Sequence, residues 1–535
     1  MDKNGVKLDA EIKVAAVQFN AGHGNVEGNR ARMLELLAEA AEQGARLIVF
    51  PEMASSGYVW DSREEIAPFA EPVPGPTTDV FHAAAKRYSC YAVVGLPERD
   101  AITGAYYNSA VLIGPEGIVG TYRKTHLFAA DPRWAREGTE EIPVFETSIG
   151  RIAMLICMDA MYFEPARIAA LKRADIIAFP TNWVGGGNNP PSRTWCLRAK
   201  ENGLYWIAAN RSDRERGALF TGGSAVIDQD GDIQSTLLSG QGIVYGAVKR
   251  NSDKREQMTA SRRPGAYGEL LLHPYLWQEG ETRSPSMQLP FQLITVPIPD
   301  EEGPSLLERL SQAFLTAEPL TDQSLPRLFV LPEAEIDPAL ISQERVMAHL
   351  QAIANDYRSY IAIGLAEKEL GNSKSTAVLV GPDGITESSS SIHGDEDKQR
   401  KAESQAYRTY ELPFARVGIL TDADGSYPES YRVMAKQGAD IVAISSSGKE
   451  RNTAWMKRIW AFENDLVVAS AAPGGSGESL LFLHRQTHIE GDMLAGPLIQ
   501  TFDTAMTEQA RKRPFMRRLK THLYDRLVIS AEGGL

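Results

Sequence analysis

Cysteine is scarce in this chain: Cys90, Cys157 and Cys196 are the three thiols among 535 residues. Three thiols cannot staple a chain of this length, and their spacing is not that of a zinc site. A disulfide framework is thereby excluded, and neither a metal nor a cofactor is expected. Positive charge is also in deficit. Lys and Arg number 56 against 69 Asp and Glu, a formal net charge of −13. Nucleic-acid binding needs a basic surface, so nucleic acid is set aside as a partner. No apolar run is long enough to cross a bilayer, and the polar opening Met1-Asp-Lys-Asn-Gly-Val-Lys7 lacks the apolar core of a signal peptide. A cytoplasmic protein with no membrane partner is the expectation. The hydrophobic share of 43% beside 23% charged residues suits globular cores, and the length implies two domains.

What the chain does have is internal repetition. Asn108-Ser-Ala-Val-Leu-Ile-Gly-Pro-Glu-Gly-Ile118 recurs as Ser375-Thr-Ala-Val-Leu-Val-Gly-Pro-Asp-Gly-Ile385. Tyr91–Leu96 pairs with Tyr360–Leu365, Gly150–Leu155 with Ala415–Leu420, and Ala174–Ala178 with Ala439–Ala443. Glu201-Asn202 matches Glu463-Asn464. The matches run in the same order at nearly constant offset, so the chain is a tandem duplication. The boundary is expected between Arg262-Arg-Pro264 and Leu289, giving domains 1–285 and 286–535.

Within the first copy, Val14–Gln18, Leu47–Phe50 and Tyr91–Val94 read as strands, and Asn29–Gln43 as a helix closed by Gly44. The hairpin-like Val111–Val119 adds antiparallel character. Such a mixture fits a layered α/β sandwich, sheet on sheet with helices outside. Strand ends gather at one edge of such a sheet, where sites form. Glu52 follows the apolar run Leu47–Pro51, Lys124 sits in Tyr122-Arg-Lys-Thr-His-Leu-Phe128, and Cys157 closes Ile152–Ile156. A carboxylate, an ammonium and a thiol together are an apparatus for acyl transfer. The carboxylate takes the thiol proton, while the ammonium and the Met158 backbone N–H hold the oxyanion. Tyr58, Asn182 and Trp183 are candidates for the pocket wall. His126 reads as a packing or hydrogen-bonding residue, and Asp159 as a cap or anchor.

These segments resemble those of the nitrilase superfamily, the carbon–nitrogen hydrolases. Phe50-Pro-Glu52 resembles the motif of the general base, Tyr122–Leu127 that of the lysine, and Leu155-Ile-Cys-Met-Asp159 that of the nucleophile. Arg198–Asn202 and Phe220–Ser224 resemble later signatures. The resemblance implies two αββα four-layer sandwich domains in tandem. It also implies hydrolysis of a non-peptide C–N bond through a Cys157 thioester, with ammonia leaving and water attacking second. Family members often carry a further glutamate, and that position falls on Asp131, with Glu137 as the alternative. The usual Phe-Pro-Glu after the nucleophile turn stands here as Phe163-Glu164-Pro165.

The second copy keeps Glu333 at the glutamate position but has Asp422 at the cysteine position and Ser391 near the lysine position. A catalytically silent copy is expected. It would serve as a pseudo-dimer scaffold within the chain, with homo-oligomerisation left open. A competing reading makes Glu333, Asp422 and Asp424 an acidic ligand site. The basic run Arg511–Lys520 matches Arg262–Pro264 and reads as a terminal structural segment. The resemblance also bears on the substrate: carbamoyl-amino-acid hydrolases of the family tend to carry arginines just after the nucleophile to hold a carboxylate, and those positions here are Ala160, Met161 and Tyr162. A small aliphatic or aromatic amide is therefore the expected substrate, with water as co-substrate. A nitrile or N-carbamoyl compound is the alternative, and a non-catalytic binding or scaffold protein a further one.

Overall fold

The computed structural model describes residues 11–184, 191–249, 253–273, 290–298, 304–369, 372–384, 386–393, 406–449, 453–474, 479–483, 487–491, 496–502 and 513–529. The segment 274–289 expected to join the domains, Ile385 of the second hairpin, and Arg511 and Lys512 of the basic run lie outside the described residues. Two compact units result, Met1–Ala260 and Ser261–Leu535.

The first unit begins with β1 (Glu11–Gln18), α1 (Val26–Glu42), β2 (Leu47–Val49), α2 (Arg63–Ile66), α3 (Pro76–Tyr88), β3 (Tyr91–Arg99), β4 (Tyr106–Gly114) and β5 (Gly117–Arg123). It continues with β6 (Val144–Thr147), β7 (Gly150–Met154), α4 (Phe163–Leu171), β8 (Ile176–Pro180), α5 (Arg193–Asn202) and β9 (Tyr205–Ala209). Last come β10 (Arg214–Glu215), β11 (Ala218–Leu219), β12 (Ser224–Ile227), β13 (Ile233–Leu237), β14 (Gly242–Lys249) and α6 (Lys254–Ala260). Two six-stranded sheets form, ordered β14-β1-β2-β3-β4-β5 and β13-β12-β9-β8-β7-β6.

The strands β1, β2 and β3 run parallel, as do β7, β8 and β9. Parallel strands are covered on both faces, which is why Leu47-Ile-Val49 and Ile176–Pro180 are buried without alternation. Helices α1 and α3 cover one face of the first sheet, its other face packs on the second sheet, and α5 covers that sheet from outside. The architecture is the αββα sandwich. Ala15, Val17, Leu36, Leu37, Phe50 and Phe81 belong to the core between the first sheet and its helices.

Helix α1 starts three residues earlier than Asn29, because Asn25 supplies the cap: its side chain accepts from Gly28 N–H at 3.2 Å. Asn29 is instead buried, and its Nδ2 donates to Gly22 O (2.7 Å) and Ser55 O (3.1 Å). It thereby ties the helix to the loop that follows Glu52.

The second unit repeats this plan. Its first sheet comprises β15 (Phe291–Thr295), β16 (Arg327–Val330), β17 (Ala334–Ile336), β18 (Tyr360–Glu369), β19 (Asn372–Val380) and β20 (Thr386–Ser390). Its second comprises β21 (Thr409–Glu411), β22 (Arg416–Thr421), β23 (Ile441–Ser445), β24 (Val467–Ala471), β25 (Ser479–Leu483) and β26 (Thr487–Gly491). A last strand, β27 (Leu498–Phe502), joins the first sheet. The orders are β20-β19-β18-β16-β15-β27, with β17 on β18, and β21-β22-β23-β24-β25-β26. Residues 261–273 belong to this unit: Arg262 pairs with Glu429, and Lys436 Nζ donates to the carbonyls of Glu269, Leu270 and Leu272.

Candidate active site

Glu52 stands three residues past β2, in the first unit. Phe50 N–H still bonds to Val93 O at 2.9 Å, so the strand holds up to Pro51, and the chain then turns at Met53 with φ of +52°. That turn is possible because β3 presents Gly95. A Cβ there would lie 2.5 Å from Pro51 O and 2.8 Å from the Glu52 Cα. Asn182, one of the expected substrate contacts, is committed to this residue. Its backbone N–H donates to Glu52 Oε2 and its Nδ2 to Glu52 O, each at 2.8 Å.

Lys124 follows β5 and is held by its backbone, donating to Asn108 O and accepting from Gly138 N–H, each at 2.9 Å. Its Nζ lies 2.6 Å from Glu52 Oε1 and 2.7 Å from Asp131 Oδ2, and all three side chains are buried. Asp131 is therefore the second acid of the cluster, while Glu137 is exposed. A short 3₁₀ turn, Asp131–Arg133, brings the shorter carboxylate within reach, and Asp131 also accepts from Phe128 N–H at 3.0 Å.

Two buried carboxylates around one ammonium set the local electrostatics. Burial opposes the Lys124 charge, but Asp131 and Glu52 outweigh it, and the group is held well above the ordinary lysine range. Burial pushes Glu52 up; Lys124 pulls it down and Asp131 pushes again, leaving it raised. The cluster thus keeps a fixed ammonium beside a carboxylate with enhanced affinity for a proton.

Cys157 lies three residues past β7 and opens the 3₁₀ turn Cys157–Met161. Its φ is +46°, a left-handed conformation that costs a non-glycine residue about 1–2 kcal/mol. Asp159 locks this turn. It accepts from Ile156 N–H (2.9 Å), His126 N–H (3.0 Å), the Thr125 hydroxyl (3.0 Å) and the Tyr122 hydroxyl (2.8 Å). His126 Nδ1 lies 2.9 Å from the same carboxylate, and its ring stacks on Tyr162. Both residues are anchors, as their placement in the sequence suggests. Burial pushes the Cys157 thiol up and Glu52 adds to this; Lys124, the Thr181 hydroxyl and the Asn182 N–H work the other way. At rest the group is a thiol, so chemistry at sulfur needs a base to take its proton.

Tyr58 is buried with its ring 5.8 Å from Lys124 Nζ, its hydroxyl donating to Phe128 O at 3.1 Å and its edge against Phe220. Trp183 is half-buried and packs against Phe179 and Trp195. The residue missed by sequence reasoning is Asn108. Its Nδ2 donates to Glu52 Oε1 (2.8 Å) and Asp131 Oδ1 (3.0 Å), which bridges the two acids. The signal was present, since the hairpin repeat opens with Asn108 in one copy and Ser375 in the other. Asn108→Ala should cost about 1–3 kcal/mol of stability, because two buried acceptors lose a donor. Chemical denaturation of the purified chain checks this, and an unchanged midpoint would remove Asn108 from the cluster.

The second unit has the same scaffold with other contents. His393 Nδ1 lies 2.9 Å from Asp424 Oδ1, and its ring stacks on Tyr427, reproducing His126, Asp159 and Tyr162. This equivalence puts Asp422 at the place of Cys157 and Ser391 at that of Lys124. Asp424 is engaged with His393, so it does not join Glu333 and Asp422 in one acidic site. An ammonium is nonetheless present, supplied by another element: Lys457 Nζ, on the helix Ala454–Glu463, lies 3.8 Å from Asp422 and donates to Ser470. The strained backbone is gone as well. Asp422 and Ala334, which match Cys157 and Met53, are not among the residues with positive φ.

Comparison with known proteins finds one family in both units. The carbon-nitrogen hydrolase family profile matches residues 13–253 and 325–493, one segment in each unit. A nitrilase of Pyrococcus abyssi is 36% identical over 225 residues, covering 42% of this chain and 84% of that protein. An (R)-stereoselective amidase of a Pseudomonas species is 32% identical over 274 residues, covering 49% and 96%. Among solved structures, an amidase from Nesterenkonia sp. is 24% identical and covers 48% of this chain and 95% of its own, with a TM-score of 0.41. With a segment matched in each half, the chain belongs to the carbon–nitrogen hydrolase family, as a tandem duplication, and is an enzyme acting on carbon–nitrogen bonds other than peptide bonds.

Proposed function

We propose that the first unit hydrolyses a small amide to a carboxylic acid and ammonia through a thioester on Cys157. One observation carries the reading: the buried Lys124 ammonium lies 2.6 Å from Glu52 and 2.7 Å from Asp131, and the Glu52 and Lys124 charges act on the Cys157 thiol. Glu52 accepts the thiol proton as sulfur bonds to the carbonyl carbon. The oxyanion is stabilised by the Lys124 ammonium and the Met158 backbone N–H. Glu52 then returns the proton to the amide nitrogen, the C–N bond breaks and ammonia leaves. Water attacks the thioester with Glu52 as base, the C–S bond breaks, and the proton goes to the departing sulfur. Asp131 holds Lys124 in place, Asn182 holds Glu52, and Tyr58 and Trp183 flank the acyl group. Without an arginine at 160–162, a neutral acyl group is the fitting one. The three cysteines are free thiols, which suits a reducing, cytoplasmic setting.

The second unit is read as catalytically silent. It lacks the thiol and the lysine at 391 on which the proposed acyl transfer rests, and Asp422 lacks the left-handed backbone of Cys157. Asp422→Ala should leave ammonia release within about twofold of wild type, since Ser447 and Lys457, the partners of Asp422, belong to the second unit and share no partner with the Cys157 cluster. A nitrile substrate is the second reading, favoured by the relative named as a nitrilase. The test of substrate class is ammonia release from small amides, nitriles and carbamoyl compounds assayed side by side. Acid and ammonia are expected from amides. Turnover confined to nitriles or carbamoyl compounds would overturn the amide reading.

A further inference from the structure

We propose that the Thr181 hydroxyl donates a hydrogen bond to Cys157 Sγ and steadies the thiolate as it forms and as it leaves. This rests on the reading of Cys157 as nucleophile and adds a residue to it.

The sheet register is the first support. Strand β7 pairs with β8 in parallel, Ile152 with Ile176, Ala153 with Ile177 and Met154 with Ala178. Leu155 N–H continues the ladder to Ala178 O at 3.2 Å. Counting on from Met154 and Ala178, Thr181 falls level with Cys157. Thr181 is fixed there, because its own N–H donates to Ala209 O at 2.9 Å.

The second support is an unmet hydroxyl. Thr181 is fully buried, and its Oγ1 has no hydrogen-bond partner. A buried hydroxyl without a partner is costly, and such groups in native structures tend to have a functional explanation. A thiol is a weak acceptor, whereas a thiolate or a developing thiolate is a strong one, so the partner of Thr181 exists chiefly during reaction. The hydroxyl also acts on the Cys157 thiol in the direction that favours its ionisation.

The third support comes from the second unit. There Ser446 stands at the Thr181 position, its N–H donating to Ala471 O at 2.8 Å, and the next residue of the loop, Ser447, donates its Oγ to Asp422 Oδ2 at 2.6 Å. A hydroxyl on this loop therefore does reach the side chain at the nucleophile position, and in the second unit its partner is a permanent anion.

The experiment compares the full chain with Thr181→Val, which keeps the shape and removes the hydroxyl, and Thr181→Ser, which restores it. Alkylation of Cys157 by iodoacetamide is followed by mass spectrometry as a function of pH, with circular dichroism to verify folding. Loss of a hydrogen bond to a charged sulfur should move the midpoint of the profile up by about one pH unit, with about tenfold slower alkylation below it. Thr181→Ser should return both to wild-type values. A purely structural role would not move the midpoint. If Thr181→Val fails to fold, Thr181→Ala takes its place against Thr181→Ser. An unshifted profile in the folded variant would overturn the assignment of Thr181 and leave Cys157 untouched. A wild-type Cys157 inert to alkylation at every pH would overturn both.

Discussion

Cys157→Ala is expected to lower ammonia release from the preferred amide on the order of 10⁴-fold or more, while the chain stays folded. Without sulfur, the sole nucleophile left is water, and the cluster is built to take a proton from a group at residue 157. Cys157→Ser should rescue little. A serine hydroxyl is far less acidic than a thiol, and Glu52 cannot ionise it even with its raised proton affinity. The same variant should lose the acyl adduct that mass spectrometry traps on wild-type Cys157. Ammonia release within tenfold of wild type in Cys157→Ala would sink the thioester route.

Lys124→Met should produce the largest change in stability. In wild type, Glu52 and Asp131 share one ammonium, and the net charge of the buried trio is held down to a single negative. Removing the ammonium leaves two buried carboxylates facing each other, and breaking a buried ion pair from one side costs about 3–5 kcal/mol. For a unit of this size that is a fall on the order of 10 °C in the midpoint of its thermal transition.

The pH dependence has a definite sign. In the variant Glu52 loses its ammonium and keeps Asp131 as a neighbour, so its folded-state pKa, already raised, rises further above the unfolded glutamate value of about 4.3. A carboxyl with a raised folded pKa adds relative stability below its unfolded pKa and loses it as pH rises. The gap between variant and wild type should therefore be small near pH 4 to 5, by about the same reference, and widen toward neutral pH. Thermal melts at several pH values check this. A gap that stays constant with pH would mean that the loss is one of packing alone.

The parts of the site legible in the sequence were those that sit at strand ends. Glu52 and Cys157 each follow an apolar run and Lys124 sits in a charged stretch between aromatic residues, and a strand that ends must deliver its next residues to the sheet edge. The tandem repeat was legible for a similar reason, since core-facing positions tolerate few changes of volume and keep their pattern. Choosing between Asp131 and Glu137 was another matter. Both are acids in a segment without periodicity, and only the 3₁₀ turn at 131–133 decides which one reaches Lys124. The start of α1 lies at Val26 and not at Asn29, because Asn25 caps the helix and the Asn29 side chain is used in tertiary hydrogen bonds.

The sequence by itself determined the duplication, the layered α/β class, and the loss of thiol and lysine from the second copy, because these follow from residue identity and strand periodicity. The tertiary structure decided which acids share the ammonium, that Asn108 bridges them, that Cys157 is held in a left-handed turn by Asp159, and that Lys457 supplies a different cation beside Asp422. The reason is physical. Apolar periodicity is a local property of the chain, whereas the distance between two charges far apart in sequence exists only once the two sheets have packed.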